Sequence, residues 1–353
     1  QVERENKCIE CGFCEVNCMS CGLTLSSRMR IAVQREIREL ESTGRDPERA
    51  ATLRNQYRYY GDQTCATDGL CATSCPMKIN TGELTHLIRQ MDMNNSKMGY
   101  RVGEFAANHL SGIKSGLRVV LDVAHAAHVT LGPTLMTNIC RSMNKMGLPL
   151  WTTAMPKKKR QPKSEDFTLH SSLNKVVYFP SCINQTMGQS KGGGKKHDLV
   201  DEVILLMAKA GYEVVFPDGM EKMCCGQIWE SKGMLDIADR KSAELEAALW
   251  KASEEGRYPV LCAQSPCLHR MKKVMHKMKL YEPAEFIMKY LVPRLDFHPI
   301  DRPVALHLTC STREMGVAGD LIALARMCST NVKLRSEERR VGKEWRSQWS
   351  PYH

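Results

Sequence analysis

Apolar residues first recur with helical spacing at Met29, Val33, Ile37 and Leu40, which predicts an amphipathic helix over 28–41. A second helix is predicted over 47–60. A third is predicted to start near Asn80, where Asn80 and Glu83 have capping-box spacing and Leu84, Leu87, Ile88 and Met91 form the stripe. Residues 100–147 continue as helices, so the first half reads as mostly α. No uninterrupted apolar run reaches ten residues, which argues against a membrane-spanning helix of about 20.

After residue 174 the pattern changes. Val176–Phe179, Tyr212–Phe216, Pro259–Cys262 and Val304–His307 read as short strands. Between them, 197–210 reads as a helix with Leu199, Val203, Leu206 and Ala210 inward, ended by Gly211, and 231–253 as a long helix. Alternating strands and helices predict an α/β domain with a largely parallel sheet. VVYFPSC (176–182) and VALHLTC (304–310) each run a strand into a cysteine, a faint repeat whose second copy begins near 303 and does not finish.

The expected fold class is therefore α+β and multidomain. An α-helical domain fills 1–98, a helical extension 99–150, and a solvated basic linker 151–174, around PKKKRQPK (156–163). The first α/β unit covers 175–302 and the start of the second 303–334. Residues 335–353, RSEERRVGKEWRSQWSPYH, resemble a translated sequencing adapter and are set aside as a non-native tail. The opening QVERENKC has neither an initial Met nor an apolar leader, which points to a piece of a longer chain without a secretory signal.

Composition adds bounds. At about 150 residues per domain, 353 residues suggest two domains. With 42% hydrophobic and 25% charged residues, the chain is neither disordered nor fibrous. A formal charge of +11 raises nucleic acid or an anionic membrane surface as partners. The set-aside tail and the linker's Lys157, Lys158, Lys159, Arg160 and Lys163 carry much of that excess. Thiolate-ligated clusters would also bring negative charge that the formula omits. No nucleic-acid partner is expected.

The 16 cysteines change the picture most. Several lie too close together for a disulfide framework, and dense clusters in a reduced compartment point to metal. Cys8-x2-Cys11-x2-Cys14-x3-Cys18 matches the bacterial ferredoxin run. Its two-residue gaps let one tight loop aim three thiolates at one cube, while the fourth faces a second cluster. Zinc is the alternative, although zinc ribbons use two separated C-x2-C pairs.

The second run is Cys65-x5-Cys71-x3-Cys75-Pro76, with Asp68 where a complete run would have a cysteine. Crosswise ligation assigns Cys8, Cys11, Cys14 and Cys75 to cluster one. Cys18, Cys65, Cys71 and Asp68 hold cluster two, with Cys21 as the rival ligand. The spacing resembles the three-iron site in the iron–sulfur subunit of succinate dehydrogenase. A carboxylate is a harder, weaker partner for sulfide-bridged iron than a thiolate. Two [4Fe–4S] clusters are expected, the second a [3Fe–4S] or a convertible cube.

A third constellation comprises Cys182, Cys224-Cys225-Gly226 and Cys262-x4-Cys267, where an α/β sheet gathers ligands at the carboxyl ends of its strands. Other features read blandly. GQSKGGGKK (188–196) fails the phosphate-loop pattern. His125 and His128 read as ordinary packing, and Cys140 and Cys328 as core thiols.

This third set resembles the "CCG" domain of heterodisulfide reductase, glycolate oxidase and anaerobic glycerol-3-phosphate dehydrogenase subunits, which implies a noncubane iron–sulfur cluster or thiol redox chemistry. Two departures are the C-x4-C pair and a second copy that keeps only Cys310. KCIECGFCEVNC, LTLSSRMRI, CATDGLCATSCPMKINTG, PSCINQTMG and CCGQIWESKG closely resemble the C-terminal half of bacterial FAD-linked D-lactate dehydrogenases, over roughly 7–334. The resemblance implies an electron-transfer portion that takes electrons from an upstream FAD-dependent dehydrogenase domain and passes them to a quinone or cytochrome acceptor. It implies a cytoplasmic site, on the inner face of the membrane, and no catalytic acid or base in this chain. A separate subunit of the glycolate oxidase type and a thiol–disulfide oxidoreductase are the alternatives.

Overall fold

The computed structural model describes residues 6–144, 152, 155–159, 174–189 and 197–335. The expectations for 160–173, for the glycine-rich segment 190–196 and for 336–353 lie outside the described residues. The chain is mixed α/β, about 62% helical, with a small parallel sheet. It divides into two compact units, Gln1–Arg101 with Ile228–Leu235 and His298–His353, and Val102–Gln227 with Asp236–Phe297.

In the first unit, helix α1 spans Ser27–Thr43, begun by the Ser26 hydroxyl accepting from the Met29 N–H and closed at Gly44 in the left-handed region. Its buried face is Ser27, Arg30, Ile31, Gln34 and Ile37, rotated from the apolar stripe expected at Met29, Val33, Ile37 and Leu40. Met29 is exposed. The rotation follows from buried polar side chains on α1 that find hydrogen bonds inside. Helix α2 spans Pro47–Tyr57, capped by Asp46, and runs into a π turn at Arg58–Gln63. Helix α3 spans Thr81–Asn95, capped by the Asn80 side chain, which accepts from the Gly82 N–H. Ile31, Ile79 and Leu84 form a small core on which Cys8 and Cys75 pack.

Helices α4, Lys97–Asn108, and α5, Leu110–Asn144, follow. In the second unit, strands β1 (Asn174–Phe179), β2 (Tyr212–Val215), β3 (Val260–Cys262) and β4 (Leu280–Tyr281) form one parallel sheet in the order β2-β1-β3-β4. Short helix α6 covers Cys182–Thr186, and α7 covers Leu199–Lys209, capped by Asp198. The buried face of α7 is Val200, Val203, Ile204 and Met207, against Val176, Tyr178 and Phe286. Leu199, expected inward, is exposed at the first turn. Helices α9 (Leu235–Ala252), α10 (Ser265–Val274) and α11 (Pro283–Phe286) complete this stretch, and α8 (Gln227–Ser231) belongs, but for its first residue, to the first unit.

In the first unit again, β5 (Ile300–His307) and β6 (Ser329–Arg335) pair in parallel through α12 (Cys310–Glu314) and α13 (Ala318–Cys328). The sequence reading missed β4 and β6.

Three expectations need correction. Helix α5 is long and apolar enough to cross a membrane by length and composition, although 11% of its most apolar window is buried. The uninterrupted-run criterion missed it because Lys114, Arg118 and Asp122 recur four apart, on one side. That side turns inward: Lys114 is buried, and Val119, Val120, Val123 and Val129 are exposed. The helix breaks at Gly132 (φ 76°, ψ 167°), ahead of Pro133. The linker is solvated at Thr152, Lys157 and Lys158 but not at Lys159, which is buried and ion-paired with Asp198 and Asp201, while exposed Lys158 pairs with Asp122. Cys328 is exposed, whereas Cys140 is buried beside Met136.

Candidate metal centres

Backbone geometry repeats between the two cysteine loops. In the first, Glu10 (φ 57°) and Gly12 (φ 81°) flank Cys11, and a 3-10 turn follows at Phe13–Asn17. In the second, Thr67 (φ 50°) and Gly69 (φ 73°) flank Asp68, and a 3-10 turn follows at Leu70–Ala72. Left-handed backbone on both sides of one residue is uncommon, and rarer still at a β-branched threonine. Asp68 thus stands in the second loop where Cys11 stands in the first. Asn17 ties the loops together, its amide donating to Leu70 O (3.4 Å), Thr73 Oγ1 (3.0 Å) and Ser74 Oγ (2.6 Å). Pro76 sits in a turn closed by Lys78 N–H to Cys75 O (3.0 Å), which holds Cys75 at the loop's end.

Cys18, Cys65, Asp68 and Cys71 line one recess, together with Ser20, Ser27, Arg30, Thr67 and Thr81, with about 260 Å³ of atom-free space that includes open solvent. Cys21 is not among the lining residues. One Asp68 oxygen accepts from Leu70 N–H at 3.3 Å, and the other, Oδ2, is buried with no hydrogen-bond partner. A buried carboxylate oxygen without a partner is costly, and a metal at this place would satisfy it. Cys71 Sγ lies 3.1 Å from Thr81 Oγ1. Burial pushes the Cys18 thiol up, but donation from the Ser27 hydroxyl, the Ser20 N–H and the Arg30 guanidinium outweighs it, and the net shift is downward.

The first site differs. The Cys14 thiol is pushed up to about 11 by burial and then by Cys71, Cys75 and Cys8. Its electrostatic neighbours are Cys71 of the second loop first, then Cys75 of the same loop and Cys8 of its own. Cys11 is exposed.

In the second unit, β1 ends at Phe179, which pairs with Cys262 at the end of β3. Both strand ends therefore deliver cysteines to one edge: Cys182 opens α6, and Cys262 is wholly buried. Cys182 and Cys224, Cys224 and Cys225, and Cys225 and Cys267 are electrostatic neighbours in turn. Cys224 and burial push the Cys182 thiol up. Cys225 raises Cys224 to about 12 against the lowering contact with Cys182, and burial raises Cys262 to about 12.

Cys225 O accepts from Arg270 Nε (3.1 Å) and Ser242 Oγ (2.8 Å), and Gly226 turns the chain at φ 84°. Cys310 opens α12, half-buried.

Sequence reasoning missed the buried cations. Lys114 is 3% exposed, donates to Gln185 Oε1 at 2.7 Å, and has Cys182 and Cys224 as electrostatic neighbours; burial lowers its pKa against their raising effect. The four-residue rhythm of Lys114, Arg118 and Asp122 was the available signal. Arg30 and Arg270 gave none.

Among the described residues, no three Cys, His, Asp or Glu side chains converge tightly enough to hold a single metal ion. No family model matches the chain, and no curated protein or solved structure is significantly similar to it.

Proposed function

We propose that this chain is the electron-transfer portion of a flavin-dependent D-2-hydroxy-acid dehydrogenase, of the D-lactate type. It receives electrons from an FAD-bearing domain and delivers them to a quinone or cytochrome. The observation that carries the reading is the repeated loop geometry, in which Asp68 stands in the place of Cys11 with a buried, unpartnered oxygen facing Cys18, Cys65 and Cys71.

Cys8, Cys11, Cys14 and Cys75 would hold the first cluster, and Cys18, Cys65, Cys71 and Asp68 the second. Cys182, Cys224, Cys225, Cys262 and Cys267 supply a third, noncubane site. When bound, such clusters accept and release single electrons. The chain's own residues fix the loops, shield the sulfurs and place charges beside them. On this reading the protein works in the cytoplasm, against the inner face of the membrane.

Iron and sulfide analysis of anaerobically purified protein, with visible absorption, tests the proposal. Brown protein with iron for at least two clusters is expected; a colourless protein holding zinc or no metal would sink it. The neighbouring thiols Cys182 and Cys224 favour a second reading, a thiol–disulfide oxidoreductase. Loss of disulfide reductase activity in Cys224→Ser and Cys225→Ser would separate it from pure conduction.

A further inference from the structure

Two arginines are almost wholly buried, and they are balanced differently. Arg270, 2% exposed, pairs with Asp239 at 2.7 Å. Arg30, 1% exposed, meets no carboxylate: Nε donates to Gly61 O (2.6 Å), one terminal nitrogen to Ser20 Oγ (2.7 Å) and Thr64 Oγ1 (3.4 Å), and the other to Cys18 Sγ (3.5 Å). Of the nearby acids, Asp62 is engaged with Arg89 (2.7 Å) and Glu15 with Arg28 (3.1 Å), while Asp68 lines the same recess and belongs to the same site. A guanidinium keeps its charge in any protein, and an uncompensated buried charge is strongly unfavourable. Of Arg30's four partners, only Cys18 can become an anion.

We infer that Arg30 is the counter-charge of the second cluster site and sets its electron affinity. The inference rests on the reading that Cys18, Cys65, Cys71 and Asp68 hold a cluster. A fixed cation within hydrogen-bond reach of a ligand sulfur favours the more negative, reduced form, so the site takes up an electron more readily. At the first site, the arginine that reaches the loop meets backbone. Arg35, which donates to the Cys8 carbonyl at 3.1 Å, is half-exposed and paired with Glu10. The guanidinium therefore raises the electron affinity of the second site above what it would be without Arg30. The buried face of α1 is built around this charge rather than around the apolar stripe.

The test is an anaerobic redox titration of the iron-loaded protein and its Arg30→Gln variant, followed by EPR and visible absorption, with iron and sulfide measured on each sample. Arg30→Gln should load the same iron, while the ratio of oxidised to reduced second cluster at a fixed potential rises at least tenfold, about 59 mV for a one-electron couple. The first cluster should not move. Full iron with an unmoved second cluster, or equal movement of both, overturns the inference.

Wild-type protein without iron for a second cluster overturns the underlying reading and the inference with it, and the iron analysis identifies that case. If Arg30→Gln does not fold, wild-type protein labelled with ¹⁵N-arginine decides by pulsed EPR. A guanidinium nitrogen coupled to the second cluster alone supports the assignment, and no such coupling refutes it.

Discussion

Replacing Gly226 with alanine places a methyl group where the chain has no room. Gly226 sits at φ 84°, and a Cβ built there lies 2.3 Å from Ala238 O and 3.0 Å from Arg270 Nε. The first contact is backbone, in α9, and cannot swing away. Arg270 is the residue that holds Cys225 O, so a shift that relieves the clash disturbs the cysteine pair.

The left-handed backbone costs about 1–2 kcal/mol for an L side chain, and overpacking about 1–3 kcal/mol more. The total is about 2–5 kcal/mol, or roughly 4–20 °C in Tm for a unit of this size. Gly211 is the control: it has φ 77° but nothing within 4 Å of its built Cβ. Gly211→Ala should therefore lose only the backbone part, about 1–2 kcal/mol. Thermal unfolding of the reduced, metal-free variants by circular dichroism reads the difference. If Gly226→Ala melts no lower than Gly211→Ala, the close packing of the CCG loop on α9 is wrong.

Asp68→Cys should complete the second cysteine run and abolish any three-iron EPR signal of the oxidised protein. Asp68→Ala should enhance that signal, and a robust, signal-free cube in the alanine variant would refute a role for the carboxylate. Lys114→Met should leave the apo fold at least as stable, because the desolvated ammonium is gone, but lower the iron held by the second unit; equal iron would deny Lys114 a part in that site. Cys224 and Cys262 hold their protons up to about 12, against 9.0 for a free thiol. The folded thiols are raised, so their contribution to apo stability is present below pH 9 and is lost as pH climbs towards 12, which urea unfolding at pH 7.5 and 10 under reductant measures. For the same reason iron loading of that site should strengthen with rising pH, and a flat dependence would contradict the shifts.

Much of the candidate chemistry was legible in the cysteine spacing, because two-residue gaps and cysteines directly after strands are local signals. The same holds for the cap at Asn80, where one side chain decides the helix start, while the caps at Ser26 and Asp198 went unread. Burial of charge was not legible. Arg30 occupies an inner position of α1 that apolar counting assigns to solvent, and its reason lies at Gly61, Ser20 and Cys18, up to 31 residues away. Helix α5 inverts the usual pattern, with Lys114 and Arg118 inward and valines outward, so the sequence reading placed a helix there but gave it no faces. Strand β4 is two residues long, too short for any alternation to register.

The parallel pair β5–β6 differs from the four-stranded sheet in how long it stays closed. Four consecutive residues of β5, Ile300–Pro303, are exposed, whereas β3 is buried throughout. Parallel strands usually survive only with both faces covered. Opening this pair breaks few apolar contacts, and it should behave as a separate cooperative unit of low local stability. In deuterated buffer, amides of Val304–His307 and Val332–Leu334 should exchange well before those of Val176–Phe179 and Val260–Cys262. The strand that leads into Cys310 should thus visit the unfolded state more often than the cysteine-bearing edge of β1 and β3.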